Sequence, residues 1–155
     1  MSIAVKKPAP DFSMPATGAR TVSLAALKGK PFVLYFYPKA DTPGCTKEAC
    51  AFEEALPALG KTGVTVIGVS KDSMKALEKF AAKYNLTFPL ASDPENVVIA
   101  AYGAWAEKSM YGKTYMGIER STVLVDAQGA IAKIWPKVKV AGHAAEVLEA
   151  VKALG

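Results

Sequence analysis

The sequence predicts an α/β fold, with a central mixed sheet and helices on both of its faces. Three observations carry that expectation. Residues 31–37 and 64–70 are nearly continuously apolar, as strands covered on both faces are. Each is followed by a segment whose apolar residues recur at helical spacing. Toward the C-terminus, residues 121–126 and 130–135 flank Ala127-Gln128-Gly129, the pattern of an antiparallel hairpin with a three-residue turn. The order strand, helix, strand, helix, strand, helix, hairpin, helix then implies parallel central strands extended by an antiparallel pair.

Taken in order, Pro8-Ala9-Pro10-Asp11-Phe12-Ser13 is punctuated by proline and suits only short edge structure. Residues 21–24 alternate and predict a short strand before the turn at Lys28-Gly29-Lys30. Residues 31–37 form the first strong strand, which Pro38 ends. A helix is expected from Pro43, with Ala49, Phe52, Leu56 and Leu59 on its apolar face and Gly60 or Gly63 closing it. Pro57 within that run predicts a kink or an early end near Leu56. After the second buried strand, Asp72 or Ser73 caps a helix to about Tyr84, with Met74, Leu77, Phe80 and Ala81 facing the core. The proline in Phe88-Pro89-Leu90-Ala91-Ser92 marks a short strand near a sheet edge. Asp93-Pro94 is expected to start a short helix through Val97, Val98 and Tyr102. Residues 103–117 mix aromatic, methionine and charged side chains without a clear period and read as a long connection. Gly142-His143 leads into a last amphipathic helix bearing Val147, Leu148, Val151 and Leu154.

With 155 residues, 51% of them apolar, the chain is expected to form one domain over residues 1–155 with a core that needs no staples. No apolar run approaches the roughly 20 residues of a membrane helix, and residues 1–11 lack the apolar core of a secretory signal. The expected address is therefore the cytoplasm. The net charge of +5 is dispersed, with no basic run longer than Lys6-Lys7, which argues for a solvated surface and against a nucleic-acid partner. Two cysteines in such a protein point to catalysis or metal before structure. Two Cys and the single His143 cannot build a typical zinc set without carboxylates, so no metal is expected. The Cys-x4-Cys spacing also differs from the Cys-x-x-Cys of dithiol reductases. Redox chemistry at a thiol is what remains.

Both cysteines stand where the first strong strand hands over to a helix. Thr42 reads as the N-cap, with Pro43, Gly44 and Cys45 as the first three helical residues. A capping hydroxyl bonds the N–H of the second or third residue, so the Thr42 oxygen is expected close to Cys45. The free N–H groups and positive dipole end there favour thiolate over thiol, which makes Cys45 the candidate nucleophile. The residues alone leave Cys50 open between a second redox thiol and a small buried hydrophobe. They leave Arg120 open between a site cation and a surface arginine, and His143 between a thiol partner and a residue of the helix start. Trp105, Met110, Tyr111 and Met116 serve equally as satellite core or as docking surface.

Phe36-Tyr37-Pro38, then Thr42-Pro43-Gly44-Cys45-Thr46 with Cys50 five positions on, resembles the Q-type peroxiredoxins, the bacterioferritin comigratory protein family. Further matches are Ser70-Lys71-Asp72-Ser73, Phe88-Pro89-Leu90, Tyr111-Gly112-Lys113, Gly117-Ile118-Glu119-Arg120-Ser121-Thr122 and Lys137-Val138-Lys139-Val140 with Gly142-His143. The resemblance covers essentially the whole chain. One departure is Leu77, where members often carry a His that is not part of the peroxide site. The resemblance implies a thioredoxin-like fold in its peroxiredoxin variant, and thiol-dependent reduction of hydrogen peroxide and organic hydroperoxides. It implies a monomer that needs no cofactor and is reduced by thioredoxin or a glutaredoxin-like dithiol. Residue by residue, it makes Cys45 the peroxidatic cysteine, Cys50 the resolving one, and Pro38, Thr42 and Arg120 the supporting site. Gly44 joins Pro38 and Thr42 on the substrate side, as a backbone donor that lets the substrate approach.

Two rival functions stand beside this one. A thiol–disulfide oxidoreductase needs the absent Cys-x-x-Cys, and a non-enzymatic binding module or holdase would tolerate Cys45→Ser. The resemblance also has a geometric consequence. Residues five apart in an intact helix have Cα atoms roughly 8–9 Å apart, whereas a disulfide tolerates about 7 Å at most. A Cys45–Cys50 bond therefore requires the first turns of the helix to unwind.

Overall fold

The computed structural model of the chain describes residues 3–154, with Met110 described by its backbone alone. Its elements are β1 (Ser13–Ala16), β2 (Arg20–Ser23), a 3₁₀ turn (Ala25–Leu27), β3 (Phe32–Phe36), α1 (Pro43–Gly60), β4 (Thr65–Ser70) and α2 (Met74–Tyr84). They continue with β5 (Leu90–Ser92), α3 (Val97–Ala101), β6 (Trp105–Met110), β7 (Lys113–Ile118), β8 (Ser121–Val125), β9 (Ile131–Trp135) and α4 (His143–Ala153). Seven strands form one sheet in the order β2-β1-β5-β4-β3-β8-β9, and β6 and β7 form a separate ribbon. β3, β4 and β5 run parallel, while β8 returns antiparallel to β3 and β9 to β8. This is the mixed α/β sheet that the sequence predicts.

The apolar run of β3 explains its central place. All five of its residues are buried, with Phe32, Leu34 and Phe36 on one face and Val33 and Tyr35 on the other. The second face carries α1, α2 and α4, whose Phe52, Leu77, Phe80, Val147 and Val151 pack with Tyr35. The first face is closed by Phe12, by Val98 and Ile99 of α3, and by Tyr102. Tyr35 needs a glycine beside it, since a Cβ on its β4 neighbour Gly68 would sit 2.8 Å from its ring. With that space open, the ring stacks on Phe52 at 4.7 Å and seats α1 against the sheet. Burying a side chain of that size contributes about 1.5–3 kcal/mol.

Several elements depart from expectation, each for a physical reason. β1 forms despite Pro15, because the bridge to β5 involves Ala16 and leaves Pro15 facing β2 alone. That same strand makes β5 third of seven rather than an edge, and Pro89 stands just ahead of it. α1 runs through Pro57 to Gly60. The proline falls in the last turn and on the exposed side, where only one backbone bond is lost. α3 begins at Val97 and not at Pro94, its first turn held by Asp93, whose two carboxylate oxygens accept from the N–H groups of Val97 (3.1 Å) and Ile99 (2.8 Å).

The largest difference lies in residues 103–117, which form an antiparallel ribbon instead of a loop. Its two-residue turn, Tyr111 (φ 53°) and Gly112 (φ 76°), has both residues left-handed, as a tight hairpin of this twist requires. Ser73 caps α2 by accepting from Ala76 N–H, and β8 and β9 form the hairpin with Gly129 at φ 83° in its turn. Among the described residues, no helix is long and apolar enough to cross a membrane.

Candidate active site

The site lies where β3 ends and α1 begins. Pro38 is exposed just past buried Tyr37, and the chain turns through Asp41, which has a left-handed φ of 59°. Thr42 is the N-cap by position, and its carbonyl accepts the first helical bond, from Thr46 N–H at 2.8 Å. The expected side-chain cap is not made. The Thr42 hydroxyl instead donates to the Lys39 carbonyl at 2.8 Å, because the turn through Asp41 brings that oxygen within reach. The first N–H groups of α1 are thus left without a side-chain acceptor.

Cys45 follows in the first turn of α1, 2% exposed. Arg120 reaches it from the short link between β7 and β8. β3 and β8 are neighbours with Phe36 opposite Ser121, so the end of one strand and the start of the other lie side by side. The Arg120 backbone is fixed by its carbonyl, which accepts from Val138 N–H, and by Glu119 N–H, which donates to Ala104. Its guanidinium then forks. Nη2 donates to Cys45 Sγ at 3.3 Å, and Nη1 to Glu48 Oε1 at 2.7 Å. Glu48 lies one turn beyond Cys45 and is 1% exposed, with Oε2 lacking a partner among the described residues. Burial pushes its carboxyl up to about 7, against the opposing pull of Arg120. Gly44 makes room for this arrangement, since a Cβ there would stand 3.2 Å from Arg120 Nη2. A thiol, a permanent cation and a buried acid therefore meet at a helix N-terminus, a setting suited to nucleophilic redox chemistry.

The sequence profile described as the AhpC/TSA family matches residues 5–134. The chain belongs to the AhpC/TSA family. Within that family its likeness is to the Q-type peroxiredoxins. A protein of Coxiella burnetii named putative peroxiredoxin bcp is 54% identical over 148 residues, covering 96% of this chain and 98% of that one. A crystal structure of a PrxQ cysteine-to-serine mutant from Xylella fastidiosa aligns with a TM-score of 0.92 at 37% identity, covering 97% of this chain and 96% of that one. A structure of the Xanthomonas campestris bacterioferritin comigratory protein, described as bearing on its alkyl peroxide reduction activity, aligns at 0.87 and 44% identity over 92% and 90% of the two chains. The thioredoxin-like peroxiredoxin fold is that of these neighbours.

Around this centre the peroxiredoxin chain places its other candidates unevenly. Cys50 is half-buried on the same unbroken helix as Cys45, and both thiols are free. Burial raises the Cys50 thiol above its ordinary value, and Glu54 and Glu53 add to the effect. His143 is not a thiol partner. It is buried with Nε2 2.7 Å from Thr122 Oγ1, between the rings of Phe52 and Trp135, and burial lowers its pKa while Glu146 opposes.

Trp105 is half-buried with the Lys71 ammonium 4.7 Å from its ring centroid, while Tyr111 (97% exposed) and Met116 stand out from the ribbon. The latter two are therefore surface rather than satellite core, and the Met110 side chain lies outside the described residues. Glu48 was not among the residues that sequence reasoning singled out. Its one signal was an acid three positions after Cys45, on a face otherwise formed by Ala49 and Phe52.

Proposed function

We propose that this peroxiredoxin reduces hydrogen peroxide and organic hydroperoxides at Cys45 and is returned to the thiol state through Cys50. The observation that carries the reading is the Arg120 fork, which sets one guanidinium nitrogen on the Cys45 sulfur and the other on Glu48. The Cys45 thiolate attacks the outer oxygen of the hydroperoxide in line. The O–O bond breaks, sulfur is oxidised to sulfenic acid, and the leaving oxygen takes a proton to become water or an alcohol. Arg120 neutralises charge as it builds on that oxygen, and the Gly44 and Cys45 N–H groups add fixed donors. Since the Thr42 proton is engaged by Lys39, its oxygen acts as an acceptor for the hydroperoxide O–H. Pro38 shields the rim of the pocket from water.

Cys50 then attacks the sulfenic sulfur, releasing water and forming the Cys45–Cys50 disulfide after the first turns of α1 unwind. Thioredoxin, or a glutaredoxin-like dithiol, reduces that bond. The alkyl peroxide activity ascribed to the X. campestris protein supports the substrate class. We place the enzyme in the reducing cytoplasm, as a monomer and a single domain.

The test is peroxide consumption coupled to thioredoxin and its reductase. Cys45→Ser loses all activity, and Cys50→Ser stops after one turnover. A Cys50→Ser protein that still cycles with thioredoxin would remove the resolving role.

A further inference from the structure

We infer that the Asp41 carboxylate, clasped by Lys83 and Tyr84, is a catch on the moving part of α1, and that it sets how the Cys45 sulfenic acid divides between the disulfide and further oxidation. The inference rests on the peroxidase reading above. Asp41 sits one residue before the N-cap, and its left-handed backbone accompanies a carboxylate bonded to the far end of α2. Oδ2 lies 2.9 Å from Lys83 Nζ, and Oδ1 accepts from the Tyr84 hydroxyl at 2.8 Å. The clasp itself is anchored. The Tyr84 ring packs edge-on to buried Phe80 at 5.5 Å, and the Lys83 ammonium stands 5.3 Å from the Tyr84 centroid.

Elsewhere the helix is held in two different ways. Beyond Cys50, Phe52 is buried, and Glu53 takes both the N–H and the hydroxyl of Thr87, at 2.6 and 2.7 Å. From Pro43 to Cys50, the polar side-chain contacts among the described residues are those of Arg120 to Cys45 and Glu48, inside the reacting centre. Oxidation to the sulfenic acid removes the thiolate charge that faces Arg120. A hold across to α2 that oxidation leaves untouched lies outside the centre, at Asp41. The neighbouring bond from Ala40 N–H to Asp72 (2.8 Å) ties down the residue before it.

Two reactions compete for the sulfenic acid. Cys50 thiol gives the disulfide and water, which needs the helix unwound. A second hydroperoxide gives the sulfinic acid and water or alcohol, which needs only the folded pocket. Their ratio follows the unwound fraction, and unwinding that carries Thr42 away from the sheet draws Asp41 from its clasp. An exposed ion pair with one added hydrogen bond is worth about a two- to fivefold change in such an equilibrium. Asn tolerates the left-handed backbone, so Asp41→Asn removes the charge without adding strain.

The experiment uses the full chain as wild type, Asp41→Asn, Tyr84→Phe and the double variant. Stopped-flow measurement gives the first-step rate constant and the rate of disulfide formation. Intact mass gives the sulfinic fraction across a series of hydrogen peroxide concentrations. Disulfide formation is expected to be about two- to fivefold faster in each single variant, with the peroxide concentration for half overoxidation raised by the same factor. The first-step rate constant stays within about twofold, and the double variant falls short of the product of the singles. An unchanged partition, or single effects that simply multiply, overturns the catch alone. A slower first step with an unchanged partition also overturns it, by assigning Asp41 to the peroxide step. A wild type that forms no Cys45–Cys50 disulfide overturns the resolving reading together with the catch.

Discussion

Arg120 Nη2 stands 3.3 Å from Cys45 Sγ while Nη1 of the same guanidinium stands 2.7 Å from Glu48 Oε1. A single planar cation thus links the Cys45 sulfur to a buried acid one helical turn away. A lysine has one compact ammonium and cannot occupy both positions at once. Arg120→Lys is therefore expected to lower the second-order rate constant for peroxide by about a hundredfold, the usual loss when one preorganised donor is removed. Pre-steady-state oxidation of Cys45 measures it directly. A loss under about threefold would mean that Arg120 serves the fold alone.

Gly44 stands against the same guanidinium. A Cβ there would come within 3.2 Å of Nη2, and the neighbour that must yield is the movable end of a side chain. Gly44→Ala therefore displaces the cation by a few tenths of an ångström without breaking the fold. Alanine also favours the helix, by roughly 0.5–1 kcal/mol. We expect stability equal to or slightly above wild type in urea titration, together with a peroxide rate constant lower by about three- to tenfold.

Two buried titratable groups give opposite pH dependences. Burial raises the Glu48 carboxyl to about 7, so the folded state holds that proton more tightly than the unfolded chain does. Its contribution is fully present at low pH and is lost as pH rises from the ordinary carboxylate value of 4.5 to about 7. Glu48→Gln keeps an acceptor for Arg120 and removes the titration. Relative to wild type it gains about 3 kcal/mol across that window. For His143 the shift is downward, so its contribution is present above its ordinary value of 6.5 and lost as pH falls below it. His143→Gln gains on wild type toward acid pH. Because His143 is the only histidine, its NMR titration gives an independent check, with a midpoint below 6.5.

Much of this architecture was legible because burial leaves a pattern. The runs that became β3 and β4 are apolar on both faces, and Pro43 marked the start of α1 to the residue. The ribbon of β6 and β7 was not legible. Tyr111, Tyr115 and Met116 are exposed along it, so no alternation of apolar and polar residues reported the strands, and Tyr-Gly is a weak turn signal beside Asn-Gly. At the site, Cys45 could be singled out from its type and place, whereas the residues alone left Cys50 open. Arg120 could be assigned only by resemblance, because its role depends on a contact across 75 residues of chain. Glu48 and the real bond of Thr42 were hidden for a related reason. Side-chain rotation and the approach of a distant cation leave no local trace in sequence.

A Cys45–Cys50 bond needs the two Cα atoms about 7 Å apart or less, so some backbone between Pro43 and Cys50 must leave the helix. The break cannot travel freely toward the C-terminus. Phe52 is fully buried and stacked on Tyr35, and Glu53 is bonded twice to Thr87. Unseating a buried aromatic of this size costs about 1.5–3 kcal/mol, and hydrogen bonds to a carboxylate add about 1.5–3 kcal/mol each before solvent exposure reduces them. Unwinding therefore stops ahead of Phe52. Hydrogen exchange on reduced and oxidised protein tests this, with amides of residues 46–50 losing protection on oxidation and those of residues 56–59 keeping it. Glu53→Ala removes the second anchor but not the first, so the boundary moves by no more than a turn. Loss of protection through Leu59 in the oxidised wild type would show that the aromatic stack does not hold the helix.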